Sequence, residues 1–83
     1  MHEAGLTQEM LNSALDASAK AGIKKIDRIN LALGNVSHIT PESVSFYFEA
    51  FSKGTPAENA ALSFREVPGF DSHYFQVDTV EGE

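Results

Sequence analysis

The sequence predicts an α+β fold, in which a small mixed three-stranded β-sheet carries two α-helices packed on one face, in the order α-β-α-β-β. Two segments have apolar residues at helical spacing, and three segments have the alternation that is typical of strands. The chain has 83 residues, of which 42% are hydrophobic. This content is enough for one core and leaves no room for a second, so we expect a single domain.

The first predicted helix spans residues 4–21 and is rich in alanine, a strong helix former. Its apolar stripe is expected to face the core, and Gly22 follows where a helix would end. The stripe consists of Leu6, Met10, Ala14, Ala17 and Ala21, widened by Leu11, Leu15 and Ser18. The polar side is predicted to consist of Thr7, Gln8, Asn12, Asp16 and Lys20.

The second predicted helix spans about residues 41–53 and has the clearest terminal signals in the chain. Thr40 is a good N-cap, Pro41 suits the first helical position, and Gly54 suits the left-handed conformation after a helix. Apolar and aromatic side chains recur at the i, i+3, i+4, i+7 spacing of one helix face. They are Val44, Tyr47, Phe48 and Phe51.

Three strands are predicted, at residues 25–33, 60–67 and 72–80. The first two are joined through a helix, which favours parallel pairing. The last two are joined by a short connection, so we expect them to form an antiparallel hairpin, with the final three residues frayed. In the last strand, alternation puts Val77 and Val80 on opposite faces. The predicted core is Leu6, Met10, Leu15, Ile29, Leu31, Leu33, Val44, Phe48, Phe51, Leu62, Phe64, Phe75 and Val77.

Composition excludes several classes of function. Twelve acidic residues against six basic ones give a net charge of −6, which disfavours nucleic acid and an anionic membrane surface as partners. Without cysteine the chain has no disulfide, thiolate metal site or thiol chemistry. The sequence has no apolar run long enough to span a membrane and does not start like a signal peptide, so we expect a soluble, cytoplasmic protein.

The strongest candidate for chemistry is the chain start, Met1-His2-Glu3. It offers an α-amine, backbone amides, an imidazole and a carboxylate within three residues. The amine, deprotonated amides and imidazole can form a square plane of nitrogen donors, which suits Ni(II) and Cu(II) and does not suit Zn(II). The alternative is that His2 is an exposed terminal residue with no ligand.

The chain resembles the HypA/HybF family of nickel-insertion accessory proteins for nickel-iron hydrogenases, and sometimes urease. The resemblance begins at the chain start and the alanine-rich helix after it, and covers nearly the whole chain. The remaining matching motifs are Leu33-Gly34 with Ser37 and Pro41-Glu42, then Phe46, Phe48 and Glu49, then Gly54-Thr55 with Ala57-Glu58, Ala60 and Leu62, then Val67-Pro68, and finally the return strand Ser72 to Val77.

The resemblance implies a nickel carrier without catalytic activity. Ni(II) would be bound weakly by the Met1 amine, the His2 imidazole and backbone nitrogen, and the Glu3 backbone nitrogen. Glu3 is also implied near the metal, or at the contact with a HypB-like maturation GTPase. The nickel would be delivered to a hydrogenase precursor.

One departure from the family is large. The family has a zinc module of two Cys-x-x-Cys pairs between the second strand and the return strand, whereas this chain has no cysteine. We therefore expect no structural zinc. Residues 1–83 would form a single nickel-binding domain resembling the N-terminal domain of HypA, with the zinc module reduced to a short loop at about residues 68–72. The oligomeric state stays open.

Other residues give weaker indications of function. His38 and His73 are expected to be surface residues, and no carboxylate pair, nucleophile elbow or glycine-rich phosphate loop supports catalysis. Two alternatives to the carrier remain. The first is a metal-free interaction module that docks a maturation GTPase or enzyme precursor, and the second is a small-molecule-binding domain suggested by fold analogy alone.

Overall fold

The five elements follow one another in the predicted order. The computed structural model describes residues 3–34, 39–68 and 74–83. The elements are helix α1 (Glu3–Lys20), strand β1 (Ile26–Gly34), helix α2 (Pro41–Phe51), strand β2 (Ala61–Val67) and strand β3 (Phe75–Gly82). Two helices and a mixed three-stranded sheet confirm the predicted α+β class.

Strand β1 lies in the middle of the sheet, in the order β2-β1-β3. It pairs parallel with β2, as predicted, and antiparallel with β3. The predicted hairpin between the last two strands is therefore wrong. The physical reason is that β1 is the most buried of the three strands. Its buried backbone N–H and C=O groups need hydrogen-bond partners, which a central position supplies on both edges.

The end of the chain is ordered, contrary to the expectation that it is frayed. Glu81 and Gly82 belong to β3, and Glu83 pairs with the residues before β1. Its backbone N–H donates to the Lys25 carbonyl at 3.0 Å, and its own oxygen accepts from the N–H groups of Lys24 and Lys25 at 2.7 and 3.1 Å. Backbone hydrogen bonds thus extend the β1–β3 ladder to the last residue.

One of the two irregularities in the β1–β3 pairing changes which side chains of β3 face the core. Residue pairing passes from Asn30–Thr79 to Leu31–Val77, so Asp78 is an extra residue on β3. A bulge of this kind inverts the alternation of side chains along the strand beyond it. Val80 accordingly packs against the core together with Val77, and the prediction that these two lie on opposite faces is wrong.

Helix α1 is present as predicted, but its buried face is rotated relative to the predicted stripe. Thr7 is fully buried and its hydroxyl donates to the Glu3 carbonyl at 2.7 Å, although it was assigned to the polar side. Ala17 and Ala21 are exposed, although they were assigned to the core side. The small size of alanine made these two positions poor indicators of the buried face.

Helix α2 begins as predicted and ends two residues earlier than predicted. The Thr40 N-cap has an extended backbone, with φ −114° and ψ 149°, and Pro41 occupies the first helical position. The helix ends at Phe51 with Ser52 as its C-cap, and Gly54 follows in the left-handed conformation at φ 79°. The turn after the helix continues to Gly54, which explains why the sequence pattern suggested a longer helix.

One hydrophobic core joins the helices to one face of the sheet, and every predicted core residue contributes to it. The opposite face is polar. There the Asn30 amide donates to Thr79 and Glu81, and Arg65 of β2 pairs with Asp78 of β3 at 3.1 Å. This pairing raises the pKa of Arg65 through the hydrogen bond and the charge of Asp78. The buried core residues are Met10, Leu11, Ala14, Ile26, Ile29, Leu31, Leu33, Ile39, Val44, Phe48 and Ala57.

Candidate functional site

Of the three predicted nickel ligands, the structure describes Glu3. Met1 and His2 lie outside the described residues, as do His38 and His73. Glu3 is the first residue of α1 and is partly buried. The geometry of the candidate site therefore starts from the groups of Glu3.

The Glu3 carboxylate reaches the N-terminus of the other helix. Its Oε2 atom accepts a hydrogen bond from the Thr40 backbone N–H at 3.2 Å. The same oxygen accepts a second hydrogen bond from the Ser43 hydroxyl. Two donors from α2 and its cap therefore converge on one oxygen at the start of α1.

Thr40 and Ser43 form the capping structure of α2 in which this carboxylate takes part. The Thr40 hydroxyl accepts from the Ser43 N–H at 3.1 Å, which is the usual N-cap bond. In a capping box, an acidic side chain at the third helical position returns a bond from the N-cap N–H. That position is Ser43 here, and Glu3 supplies the carboxylate from a different helix.

Sequence reasoning missed this role of Glu3 because the partners are 37 and 40 residues away. The local pattern from Thr40 to Ser43 predicts an N-cap but has no acid at the third helical position. Nothing in the neighbourhood of Glu3 indicates which helix it would contact. The remaining clue is an N-cap whose usual acidic partner is missing.

The two backbone groups of Glu3 differ in their hydrogen bonding. The Glu3 carbonyl accepts from the Thr7 hydroxyl at 2.7 Å. Its backbone N–H belongs to the first turn of α1, where N–H groups have no intrahelical acceptor. The start of α1 therefore presents a backbone nitrogen that the helix does not use.

Elsewhere in residues 3–34, 39–68 and 74–83, no group of three or more histidine, cysteine, aspartate or glutamate side chains is arranged to hold a metal ion. Within the same residues, no helix is long and apolar enough to cross a membrane.

Two other surface features accompany the candidate site. Phe46 on α2 is 72% exposed and packs edge-on against Tyr47, with ring centroids 5.3 Å apart. An open groove of about 360 Å³ lies next to the Thr40 cap, with apolar residues and the carboxylates of Glu42 and Glu66 in its lining. The groove is lined by Leu33, Gly34, Ile39, Thr40, Pro41, Glu42, Phe64 and Glu66.

Comparison with known families defines the class of protein. Residues 1–70 match the family model described as hydrogenase/urease nickel incorporation, metallochaperone, HypA. The class is thus that of nickel-incorporation metallochaperones. The chain belongs to the HypA family, which confirms the resemblance found in the sequence.

Curated relatives support this assignment. The chain is 45% identical over 69 residues to the hydrogenase maturation factor HypA of Nostoc sp., in a match that covers 83% of this chain and 58% of the relative. It is 35% identical over 68 residues to HypA of Dehalococcoides mccartyi, covering 82% and 57% of the two chains. The chain therefore spans a little over half the length of these relatives.

A solved structure shares the fold. The solution structure of the Ni metallochaperone HypA from Helicobacter pylori superimposes with a TM-score of 0.71 at 20% sequence identity. The match covers 95% of this chain and 73% of that protein. Because β3 has eight residues, a match of this extent includes part of β3, which lies beyond the family-model match.

Proposed function

We propose that this chain is a nickel carrier that binds Ni(II) through Met1, His2 and Glu3 and delivers it to a nickel enzyme precursor during hydrogenase maturation. The observation that carries the proposal is the match to a nickel-incorporation family over residues 1–70, which includes the chain start. The donors are the Met1 amine, the His2 imidazole and backbone nitrogen, and the Glu3 backbone nitrogen.

The chemistry of these donors supports nickel as the cargo. Four nitrogens in one plane suit a d⁸ ion such as Ni(II), which forms square-planar complexes with strong nitrogen donors. Amide nitrogens bind a metal only after they lose their protons, so an amide held in a helix ladder is a poor ligand. Glu3 begins α1, and its amide has no acceptor within the helix.

A titration of the untagged chain with Ni(II), followed by absorption spectroscopy, tests this proposal. The wild type is expected to develop the visible band of a diamagnetic square-planar complex. Replacement His2→Ala and acetylation of the chain start should each abolish the band, because each removes a donor. His73→Ala is the matched control and should titrate like the wild type. Identical titrations of all four proteins would overturn the proposal.

Delivery requires partners, and we propose a HypB-like maturation GTPase and a hydrogenase precursor for this role. The support is membership of a family whose curated members are named hydrogenase maturation factors. We further propose that residues 1–83 act as one nickel-binding domain in the cytoplasm. Of the loop predicted at about 68–72, residues 69–72 lie outside the described residues. The nickel-loaded chain should transfer its metal to the precursor, measured as nickel bound by the precursor after separation. Retention of all nickel on this chain with both partners present would contradict delivery.

A second candidate function is a metal-free interaction module, and the exposure of Phe46 favours it. A phenylalanine that is 72% exposed contributes little to the core, and aromatic side chains are enriched at protein interfaces. Tyr47 and Phe51 stack behind it with ring centroids 5.9 Å apart. The exposed ring of Phe46 thus has an aromatic neighbour on α2, Tyr47, which itself stacks on Phe51.

Binding to the purified maturation GTPase separates the two candidates. Phe46→Ser should weaken the complex if α2 docks the partner, while Ser45→Ala, at a neighbouring exposed position, should not. If His2→Ala binds the partner as well as the wild type but no nickel binds to either protein, the interaction module replaces the carrier. If Phe46→Ser binds the GTPase normally, docking through α2 is excluded.

A further inference from the structure

We infer that the Glu3 carboxylate is a positioning group for the nickel site, not a nickel ligand: it ties the start of α1 to the N-terminus of α2 and so fixes the backbone nitrogen of Glu3. This inference rests on the proposed nickel site at the chain start. It assigns two different roles to one residue: the Glu3 side chain positions the site, and the Glu3 backbone nitrogen binds the metal.

The hydrogen bonds of Glu3 carry the first step. Both donors to the carboxylate come from the capping turn of α2, the Thr40 N–H at 3.2 Å and the Ser43 hydroxyl. The Glu3 carbonyl is bound by the Thr7 hydroxyl at 2.7 Å. Both hydrogen bonds end on Oε2, so a nickel ion that used this oxygen would have to share it with two donors. The backbone nitrogen involves no such competition.

Charge gives the second step. The N-terminus of a helix has a partial positive charge from its unpaired N–H groups, and a carboxylate placed there is stabilised. The Glu3 carboxylate lies at the N-terminus of α2. The partial positive charge there favours this position of the carboxylate.

Geometry gives the third step. The donors of residues 1 and 2 are connected covalently to Glu3, and consecutive Cα atoms are about 3.8 Å apart. Anchoring Glu3 at a partly buried junction between two helices restricts the starting point of this short segment. A chelating segment with less freedom in the metal-free state loses less entropy on binding, so the tie should raise nickel affinity.

The experiment measures Ni(II) affinity and the absorption spectrum for the wild type, Ser43→Ala, Glu3→Ala, the double variant and Glu3→Gln. We expect Ser43→Ala to weaken binding about 5-fold and Glu3→Ala about 10-fold, within the range of one charge-assisted hydrogen bond. The double variant should be no weaker than Glu3→Ala. Glu3→Gln, which keeps an acceptor oxygen, should recover part of the affinity. The band should stay at the same wavelength throughout, because the nitrogen donors are unchanged.

Different results overturn different statements. A shifted band in Glu3→Ala and Glu3→Gln, with Ser43→Ala like the wild type, would make the carboxylate a ligand and overturn the inference. Equal affinities in all five proteins would also overturn it while leaving the carrier function intact. No nickel binding by the wild type would overturn the proposed function itself, and the positioning role with it. Ser45→Ala is the matched hydroxyl control on α2, and circular dichroism establishes that each variant is folded.

Discussion

The carboxylate of Glu3 accepts a hydrogen bond from the hydroxyl of Ser43, forty positions further along the chain. Together with the bond from the Thr40 N–H, it joins the first residue of α1 to the capping turn of α2. The acid that a capping box usually places within the same helix comes here from another helix. One side chain thereby links a local feature, a helix cap, to the packing of the two helices.

We predict that this link stabilises the metal-free fold. Glu3→Ala and Ser43→Ala should each lower the free energy of unfolding by about 1 to 2 kcal/mol, as expected for a hydrogen bond to a charged group. Their double variant should show a coupling of about 1 kcal/mol, because both changes remove the same bond. Urea unfolding without metal measures the free energy of unfolding of the wild type, the two single variants and the double variant.

Glu9→Ala and Ser45→Ala provide a control pair for this cycle, since both residues are exposed on the same two helices. Their effects should be additive. If the effects of Glu3→Ala and Ser43→Ala are as additive as those of the control pair, the hydrogen bond between the two side chains contributes no net stability. The link would then not be a feature of the fold in solution.

Local sequence patterns predicted what depends on local chemistry. The Thr40 cap, the Pro41 start and the buried faces of β1 and α2 follow from periodicity and capping preferences, and the structure confirms them. The bulge at Asp78 and the pairing of β3 with β1 could not be predicted in this way, because they depend on partners far along the chain. The hydrogen bonds of the Glu3 carboxylate could not be predicted either, because its partners lie 37 and 40 residues away.

The bulge at Asp78 leads to a prediction about two neighbouring residues. Val80 packs against the core, whereas Thr79 faces solvent and its hydroxyl accepts from Asn30 at 2.9 Å. Val80→Thr should lower the free energy of unfolding by about 1 kcal/mol, because it puts a hydroxyl into an apolar environment. Thr79→Val should change it by less than about 0.5 kcal/mol, as is usual at exposed positions. Both changes keep a β-branched side chain, and thermal unfolding compares them. If Thr79→Val lowered the stability more than Val80→Thr, uninterrupted alternation, not the bulge, would determine which side chains of β3 face the core.

Gly82 gives a prediction about the ordered end of the chain. A Cβ atom at this position would overlap the backbone carbonyl oxygen of Lys25 and come within 2.9 Å of the Ile23 side chain. Because the closest atom is backbone, the clash can be relieved only by moving β3 or β1. Gly82→Ala should therefore lower the free energy of unfolding by about 2 kcal/mol.

Gly5 is the matched control for this substitution. It lies in α1, and a Cβ atom there would meet nothing within 4 Å. Gly5→Ala should raise stability by about 0.5 to 1 kcal/mol, because alanine is favoured over glycine inside a helix. If the two alanine variants unfold alike, the end of the chain does not pack against residues 23–26 in solution.

Metal selectivity follows from the proposed donor set at the chain start. Amine, amide and imidazole nitrogens in a plane suit Ni(II) and Cu(II), and Cu(II) stands above both Ni(II) and Zn(II) in the usual order of affinity. We expect one equivalent of Cu(II) to displace Ni(II) from the wild type, whereas one equivalent of Zn(II) leaves most of the nickel bound. Zn(II) has no preference for a plane of four ligands and prefers a tetrahedral arrangement in protein sites. Loss of the nickel absorption band measures displacement, with His73→Ala as the control that keeps all proposed donors. Displacement by Zn(II) as complete as that by Cu(II) would show that the nickel is not held by a planar set of nitrogens.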